Sequence, residues 1–574
     1  GSGKFDNLPL GKIGSLVEQI LDCEVNYNMW TLMHRYFKAR DLFKSGLFEI
    51  SSRDHMAYFY IWLRFSFSRQ LTWQRSFNTK PKELQHSQQC LIEEMCQQYK
   101  QTLSLPAEYT QEEFLSSADI LRSIFSFIGK GSGNGQQVRD EILHIMHRHN
   151  IKETAGHFYE EWHQKLHNNT TPDDIPICEA LLSYLRSGNL GDYWNHLHKN
   201  GINKERLASY ERKIVHEPWM KREAIPDFEN YLRILKQMHS SDDMNMLIDE
   251  AKGHVGGDTH HLMSDIQCNF KDQDAIRQME RVLALRSNLC HNHMDRNNSG
   301  KLKDIVFLDL CLESYTRTLT ERIMHIDIGF GAYIRELGLI LNNLCLSYGW
   351  LELKYVRDDY EMLVKTLVGS LNEENARKVK SVIDRIKNGL GEVNDKIHAV
   401  MQEKAELMGR HLNIDRHFLE IFSEEVLRGT LFFSASMILK KIDPHIRQSA
   451  HLGNWLTISQ GRTHGSRGYV EYVKNLRDVM HKNYEGRTIL LVEKISGEEE
   501  VPSNVQAIVV LNSTDYPDVL AHVSVRARNL KVLLTILFDD LVCSELKKLV
   551  GRHITMSVEG SNIKFQEQNP NLPL

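Results

Sequence analysis

The chain has 574 residues, which at roughly 100–200 residues per domain suggests several folding units. Its composition, with 41% hydrophobic and 25% charged residues, is ordinary for a globular protein. Its net charge is −5 and it has no basic block, so nucleic acid and anionic membranes are poor candidates for its main partner. A run of about 18 apolar residues, the minimum for a predicted membrane span, does not occur.

The first part of the chain is predicted to be helical. Residues 12–130 carry apolar positions at helical spacing, which predicts an N-terminal helical domain over 1–130. A glycine-rich loop at 130–135 leads into a second helical segment over 131–226. Glycine-rich loops before helices can bind phosphate, but this one lacks the GxxxxGK[ST] and GxGxxG spacings, which favours a simple connector.

The central region is predicted to be a helical bundle over 227–455. Between residues 226 and 444 no proline occurs, and because proline breaks helix interiors, this stretch favours consecutive helices. The clearest of them begins after a predicted N-cap at Asn372 and could kink or divide at Gly389 and Gly391.

The sequence changes near residue 455. Gly461, Gly465 and Gly468 punctuate a polar stretch, so 456–468 is predicted to be an interdomain hinge, with few contacts between the helical body and the domain that follows. Residues 469–574 are predicted to form that α/β domain, because short β-branched runs surround one helix. The runs lie at Thr488–Val492, Ala507–Leu511, Val532–Phe538, Ile554–Val558 and, after a turn, Ile563–Gln566. The turn at 559–562 predicts a hairpin between the last two runs.

His522 starts the helix of this domain, directly after a predicted strand. Unpaired backbone N–H groups and the positive end of the helix dipole disfavour imidazolium there, so the ring is expected to be neutral and nucleophilic near pH 7. The same N–H groups would stabilise a phosphoryl group on the ring, with Ser524, Arg526 and Arg528 as further donors. These features suit a covalent phosphohistidine. A histidine that only caps the helix, with Asn529 at the other end, is the alternative that residue chemistry leaves open.

Six segments follow the order and spacing of motifs in a known enzyme family. They are RQLTW at 69–73, EEWHQKLHNNT at 160–170, FLDL at 307–310, ISGEEEVP at 495–502, PDVL at 517–520 and HVSVRARN at 522–529. Together they resemble the glucan, water dikinases, and the last one resembles the phosphohistidine signature of that family. The related dikinases that act on small molecules such as pyruvate would not carry the WHQKLHNNT element.

The resemblance implies a multidomain protein, mostly α-helical in its N-terminal and central regions and followed by a C-terminal α/β swivelling phosphohistidine domain. It implies that ATP gives its β-phosphate to His522 and its γ-phosphate to water, leaving AMP and orthophosphate. A glucosyl hydroxyl of starch or an amylopectin-like α-glucan then takes the phosphate. Members of the family carry an ATP-binding domain after this region, so the site for ATP and Mg2+ is expected to be missing here and the chain alone to be inactive.

Substrate and role have alternatives. The Val-Ser pair after His522 favours the glucosyl 6-hydroxyl over the 3-hydroxyl used by the phosphoglucan-dependent relative. A second hypothesis is a helical scaffold that binds glucan and positions a phosphohistidine domain without turnover of its own. A third, a dikinase for a small acid such as pyruvate, is disfavoured by the long helical region. A homodimer is left open.

Two departures from the family pattern bear on regulation. Ala521 stands where a serine is usual before the histidine. Leu533 and Leu537 occupy positions where land-plant members tend to carry a cysteine pair, which argues against a plant-style redox switch and for an alga or protist as the source.

The nine cysteines are scattered without a CxxC pair, as is typical of a reducing compartment, so we expect a plastid or the cytosol, wherever starch lies.

The segment WHQKLHNNTTPDD has three interpretations. Histidines four residues apart share a helix face and could bind a divalent metal with a carboxylate, but the HExxH glutamate is missing and no metal site is predicted. Alternatively, an asparagine ends one helix and the two aspartates cap the next. Thirdly, the side chains offer an apolar platform and hydrogen-bond partners for sugar hydroxyls. The candidate glucan-binding residues are Trp162, His163, Lys165, His167, Asn168, Asn169, Asp173 and Asp174.

Overall fold

The computed structural model describes most of the chain. The described residues are 14–25, 29–67, 71, 81–102, 114–128, 134–154, 157–165, 173–202, 218–238, 241–294, 299–324, 326–367, 371–451, 453–511 and 516–568. Within them, every α-helix except two precedes residue 455, and every strand begins at or after it. The predicted change from helix to sheet near residue 455 is therefore confirmed.

The helices before the sheet are labelled α1–α20 in chain order. They are α1 (Gly14–Val25), α2 (Met29–Lys44), α3 (Arg53–Phe67), α4 (Pro81–Thr102), α5 (Ser117–Ile128), α6 (Asn134–Arg148), α7 (Phe158–Lys165), α8 (Asp174–Ser187), α9 (Leu190–Lys199), α10 (Ile225–Met238), α11 (Ser241–Lys252), α12 (Gly257–Gln267), α13 (Ala275–Asn292), α14 (Ser299–Ile323), α15 (Phe330–Ser347), α16 (Leu351–Thr366), α17 (Glu373–His411), α18 (Arg416–Glu420), α19 (Phe422–Arg428) and α20 (Leu431–Ala450). None of the helices in the described ranges is long and apolar enough to cross a membrane.

The chain forms two compact units. The first comprises Gly1–Leu319, Cys345–Leu351 and Lys396–Ser423, and the second comprises Thr320–Leu344, Glu352–Asp395 and Glu424–Leu574. The boundaries predicted near 130 and 226 therefore do not separate units. The bundle predicted over 227–455 is divided between both units, because long helices such as α17 contribute residues to each.

A buried ion-pair network joins α5, α13 and α14 in the first unit. Arg286 donates to Asp309 at 2.8 Å, and Arg122 donates to Asp309 and to Glu313, each at 2.9 Å. Arg286 and Asp309 are fully buried, so each charge depends on its partners for compensation. The aspartate of the FLDL segment at 307–310 thus has a structural role.

The long helix α17 runs unbroken from Glu373 to His411. At its start the N–H of Asn375 donates to the Asn372 side chain at 3.0 Å, and the N–H of Asn372 donates to the Asn375 side chain at 2.7 Å. This reciprocal pair confirms the predicted N-cap. Gly389 does not divide the helix, because a glycine costs only about 1 kcal/mol in a helix interior, and tertiary packing of an apolar face outweighs that.

Residues 455–567 form a seven-stranded sheet in the order β1-β5-β4-β3-β2-β6-β7. Its elements are β1 (Trp455–Gln460), β2 (Ser466–Asn475), β3 (Asn483–Lys494), β4 (Ser503–Val510), α21 (His522–Leu530), β5 (Leu533–Leu537), α22 (Asp540–Lys547), β6 (His553–Glu559) and β7 (Asn562–Glu567). The strands β2, β3, β4 and β5 pair in parallel, whereas β1, β6 and β7 form antiparallel pairs. Glu559 lies opposite Asn562, which confirms the predicted hairpin.

Both faces of this sheet are covered, as parallel strands require. Side chains alternate along a strand, so Leu490 of β3 lies in a buried cluster with Val523 of α21 on one face. Its neighbour Leu491 lies in a cluster with Cys543 and Leu546 of α22 on the other face. This packing fixes α21, and with it His522, against the sheet.

The segment predicted to be a hinge, 456–468, lies inside the sheet. Its residues belong to β1, to the start of β2 and to the turn between them. A Cβ at Gly468 would lie 2.6 Å from the carbonyl oxygen of Arg487, and one at Gly465 would lie 2.8 Å from that of Met556. The hinge prediction is therefore wrong in its position. Some glycines are required because two strands approach closely and others belong to flexible linkers, and the sequence pattern is the same in both cases.

Candidate functional site at His522

His522 is the first residue of α21, in the crossover from β4 to β5. Ala521 precedes it as the N-cap in an extended conformation. The helix ends at Leu530, and Lys531 adopts the left-handed conformation at the C-cap, so the predicted C-cap, Asn529, lies within the helix. Crevices at the carboxyl ends of parallel strands are the usual ligand sites of α/β sheets.

Asp518 anchors the segment before the helix. Its carboxylate accepts hydrogen bonds from the Leu520 N–H at 2.8 Å and from the Ser436 hydroxyl of α20 at 3.0 Å. Its carbonyl oxygen accepts the Ser524 hydroxyl at 2.6 Å. Ser524, predicted to stabilise a phosphate, therefore holds the segment before the helix in this structure.

The imidazole of His522 lies between two carboxylates. Nε2 donates to Glu500 Oε1 at 2.6 Å, and Nδ1 donates a short hydrogen bond to Glu424 Oε2. Glu500 is in the loop between β3 and β4, whereas Glu424 is on α19, 98 residues before the histidine. The Glu424 side chain is 10% exposed and that of Glu500 is 31% exposed. The more open side of the ring is therefore the Nε2 side.

The two carboxylates determine the charge of the ring. Burial alone would lower the pKa of His522, but hydrogen bonds and charge attraction from Glu424 and Glu500 raise it to about 10. Burial alone would raise the pKa of Glu500, but His522 and Arg526 lower it to about 2. The prediction of a neutral ring is therefore wrong for this arrangement. The partial charges at a helix N-terminus are outweighed by two carboxylates in direct contact.

Three consecutive glutamates between β3 and β4 have three different partners. Glu498 accepts a hydrogen bond from Arg428 of α19 at 3.3 Å. Glu499 accepts from backbone N–H groups of its own loop at 2.7 and 3.1 Å. Glu500 accepts from His522. The loop is thus tied to a helix, to itself and to the histidine. These contacts also show that the predicted scarcity of contacts between helices and the terminal domain is wrong within the second unit.

The two arginines of α21 have different environments. Arg526 donates to Glu500 Oε2 at 3.1 Å, so a cation lies one side chain away from the ring. Arg528 donates to the carbonyl oxygen of Val519 at 2.6 Å, and burial lowers its pKa. Its Nε and Nη2 atoms are buried without a hydrogen-bond partner among the described residues. The structure therefore brings Arg526 to the site, whereas Arg528 holds the segment before the helix.

The candidate residues of WHQKLHNNTTPDD that the structure describes are mostly buried. Trp162 is fully buried, and its indole N–H donates to Asp174, also fully buried, at 3.0 Å. A buried ring is unable to stack on a sugar, so the prediction that Trp162 and Asp174 bind glucan is wrong. Both residues join α7 to α8 in the core instead. His163 is buried as well, 3.8 Å from the Glu160 carboxylate.

The remaining residues of this segment stay predictions. Asp173 is half-buried at the N-cap of α8, where its side chain makes no capping hydrogen bond. Lys165 ends α7, and its side chain lies outside the described residues, as do His167, Asn168 and Asn169. The described part of the chain contains no group of three or more His, Cys, Asp or Glu placed to hold a metal ion.

Sequence reasoning missed Glu424 and gave Glu500 no role. Glu424 is followed by Glu425, which lies 3.8 Å from Arg428, and nothing in the local sequence distinguishes the two glutamates. The only signal for Glu500 was its place in ISGEEEVP at 495–502, which does not say which carboxylate faces the histidine.

Comparisons with known proteins point to one family. Residues 454–572 match the family described as alpha-glucan water dikinase, phosphohistidine-like domain. Over 97% of its length the chain is 34% identical to the chloroplastic alpha-glucan water dikinases of Citrus reticulata and Solanum tuberosum, covering 38% of each. It is 32% identical to the chloroplastic alpha-glucan water dikinase 1 of Arabidopsis thaliana, over 97% of this chain and 40% of that protein. The chain thus spans about two fifths of the length of these relatives. No solved structure matches it significantly. With this likeness along nearly its whole length, the chain belongs to the alpha-glucan water dikinase family.

Proposed function

We propose that the protein phosphorylates glucosyl residues of a starch-like α-glucan through a phosphohistidine at His522. ATP is the donor: its β-phosphate goes to the histidine and its γ-phosphate to water, which yields AMP and orthophosphate. The observation that carries the proposal is the position of His522 at the start of α21 in the phosphohistidine-like domain, with Arg526 one side chain away. The names of the relatives support glucan as the acceptor.

The residues around His522 suit both halves of such a transfer. In the first half, an imidazole nitrogen attacks the β-phosphorus, the N–P bond forms, and the P–O bond to the α-phosphate breaks with its electron pair leaving on AMP. Water attacks the γ-phosphorus, and the β–γ P–O bond breaks to release orthophosphate. In the second half, a glucosyl oxygen attacks the same phosphorus and loses its proton, and the N–P bond breaks with its pair returning to the ring. Arg526, paired with Glu500 at 3.1 Å, supplies positive charge beside the phosphoryl group in both halves.

The glucosyl 6-hydroxyl is the proposed acceptor, because Val523 and Ser524 follow the histidine as in the glucan, water dikinases. ATP would enter with Mg2+ as its counter-ion. The described residues include no group of three or more His, Cys, Asp or Glu placed to hold a metal ion. A plastid is the proposed location, since three relatives are named chloroplastic. The cysteines, all free in the structure, fit a reducing compartment.

The proposal can be tested on this chain without a nucleotide. Potassium phosphoramidate phosphorylates histidine directly, so the chain is loaded with phosphate, freed of reagent and incubated with amylopectin. We expect phosphate on the glucan, recovered as glucose 6-phosphate after hydrolysis, and none from a His522→Ala chain treated in the same way. Glucose 3-phosphate would contradict the 6-hydroxyl. Phosphate that stays on His522 in the presence of amylopectin, or passes to pyruvate, would contradict glucan transfer by this chain.

A further inference from the structure

Both nitrogens of His522 are occupied in this structure. Nε2 faces Glu500 at 2.6 Å, Nδ1 faces Glu424, and the residue is 7% exposed. A phosphoryl transfer to the ring needs one nitrogen lone pair and room for three phosphate oxygens, and neither side of the ring offers them. The arrangement is therefore a resting pose, in which His522 does not accept phosphate.

Glu424 is one member of a row of polar contacts between helices α19 and α20 and the loops around His522, all of them within the second unit. The other pairs are Arg428–Glu498 at 3.3 Å, Ser436–Asp518 at 3.0 Å and Asp443–Tyr516 at 3.4 Å. A contact surface rich in such pairs resembles those between domains that move relative to each other. Glu500 is part of the sheet domain and moves with His522, whereas Glu424 belongs to the helices and stays behind.

A phosphoryl group reverses the sign of the charge that Glu424 meets. The imidazolium ring is cationic and attracts both carboxylates, but a phosphorylated side chain carries about two negative charges near neutral pH. Since the Glu424 side chain is 10% exposed, water and salt screen the resulting repulsion only weakly. The other charged groups on the elements packed around the ring are Glu425, Arg428, Glu498, Glu499, Asp518, Arg526 and Arg528. Arg526 differs from the other cations in this set because it is paired with Glu500, which contacts the ring. It lies on the same helix as His522 and moves with it.

We propose that Glu424 is a latch for the phosphohistidine-like domain: with Glu500 it holds His522 covered and unreactive against helices α19 and α20, and once the undocked ring carries a phosphoryl group, repulsion from Glu424 keeps the domain from docking again. The inference rests on the proposed role of His522 as the phosphate carrier and adds a control of that same residue. Release leaves the Glu500–Arg526 pair beside the ring, where the arginine turns to the phosphate.

Phosphoramidate reactivity measures the latch directly. The reagent transfers its phosphoryl group to neutral imidazole and loses ammonia, so the rate depends on the access to the ring and on its charge. The Glu424→Gln variant keeps the shape of the side chain and removes its charge. Near neutral pH it should acquire phosphate on His522 at least about tenfold faster than the unchanged chain, because each unit of pKa lowered toward the ordinary histidine value is a factor of ten in neutral ring. Its rate profile should also move to lower pH. Intact mass and peptide mapping give both quantities.

Glu420→Gln is the matched control. Glu420 is an exposed glutamate four residues earlier, paired with Arg416 at 2.9 Å, and its change should leave the rate and the pH profile unaltered. Thermal melting of each variant distinguishes a released latch from an unfolded domain. If folded Glu424→Gln reacts no faster than the unchanged chain and keeps its profile, the latch is refuted. That result would not contradict the proposed function, because the proposed function is contradicted only when phosphate on His522 fails to reach glucan.

The second half of the proposal is that a phosphoryl group on His522 keeps the domain away from helices α19 and α20. Hydrogen exchange in peptides that cover α19 and α20 should become faster once His522 carries phosphate. A His522→Gln chain treated with the same reagent should keep its protection. Equal protection of these helices with and without phosphate on His522 would overturn this half of the proposal.

Discussion

Replacing His522 with glutamine should change the pH dependence of stability in a defined direction. Glutamine can still donate to a carboxylate, but it has no charge to offer Glu424 and Glu500. The folded state holds the His522 proton far more tightly than the unfolded chain does, because two carboxylates surround a ring that is 7% exposed. Stability that depends on this proton disappears when the proton leaves.

The size of the effect follows from the raised pKa. A change from 6.5 to about 10 corresponds to about 5 kcal/mol, since a tenfold change in proton affinity is worth about 1.4 kcal/mol. Glu500 is 31% exposed, so solvent screens part of its attraction, and we expect about 2–4 kcal/mol. Because the folded-state pKa lies above the unfolded one, this stabilisation is complete below pH 6.5 and is lost as the pH rises from 6.5 to about 10.

The assay compares urea unfolding of the unchanged chain and of His522→Gln at several pH values in this window. Hydrogen exchange in peptides from β3 and β4 restricts the measurement to the sheet domain. The difference in unfolding free energy should be largest at the acidic end and shrink toward pH 10. His464→Gln, in the exposed turn between β1 and β2, should show no such trend. A difference that is constant with pH, or that grows as the pH rises, would refute the two-carboxylate explanation.

Three further changes test the packing. Arg286→Met leaves the buried Asp309 with Arg122 as its one remaining ion-pair partner among the described residues and should lower the free energy of unfolding, measured in urea, by about 3–5 kcal/mol; a change below about 1 kcal/mol would contradict the network. Burial raises the pKa of Glu336 to about 8, so the unchanged chain should lose more stability than Glu336→Gln does as the pH rises from 4.5 to about 8; parallel stability–pH profiles of the two chains would contradict this. Gly468→Ala should cost about 1–3 kcal/mol of unfolding free energy because its Cβ meets a backbone carbonyl, whereas Gly486→Ala, with open space at its Cβ, should cost less. Equal costs at the two glycines would contradict the close approach of strands.

Much of the fold could be predicted because its signals are local. The absence of proline over 227–443 marks consecutive helices, and the short β-branched runs mark β3 to β7. The first two strands were missed for a physical reason. In β2 and in the turn before it, glycines occupy positions where neighbouring strands approach closely, as at Gly468, and composition alone does not separate such a segment from a linker.

The site was only partly predictable. His522 and its place at the start of α21 follow from the strand-to-helix pattern and from the motif. The charge of the ring does not, because Glu424 is 98 residues away and reaches the ring only in the folded chain. Trp162 shows the opposite difficulty: its residue type suits a sugar platform and a core equally, and only its burial decides between them.

His522 lies between one carboxylate of its own domain, Glu500, and one carboxylate of a distant helix, Glu424. Glu500 accompanies the ring wherever the sheet domain goes, and Arg526 beside it keeps that carboxylate ionised. Glu424 meets the ring only when the domain lies against α19. Under the proposed latch, Glu424 is left behind when the domain moves, so the ring loses one of the two counter-charges that raise the pKa of His522. In that proposal, the domain leaves the helices and the ring gains nucleophilicity together, so His522 becomes reactive only after the domain has moved.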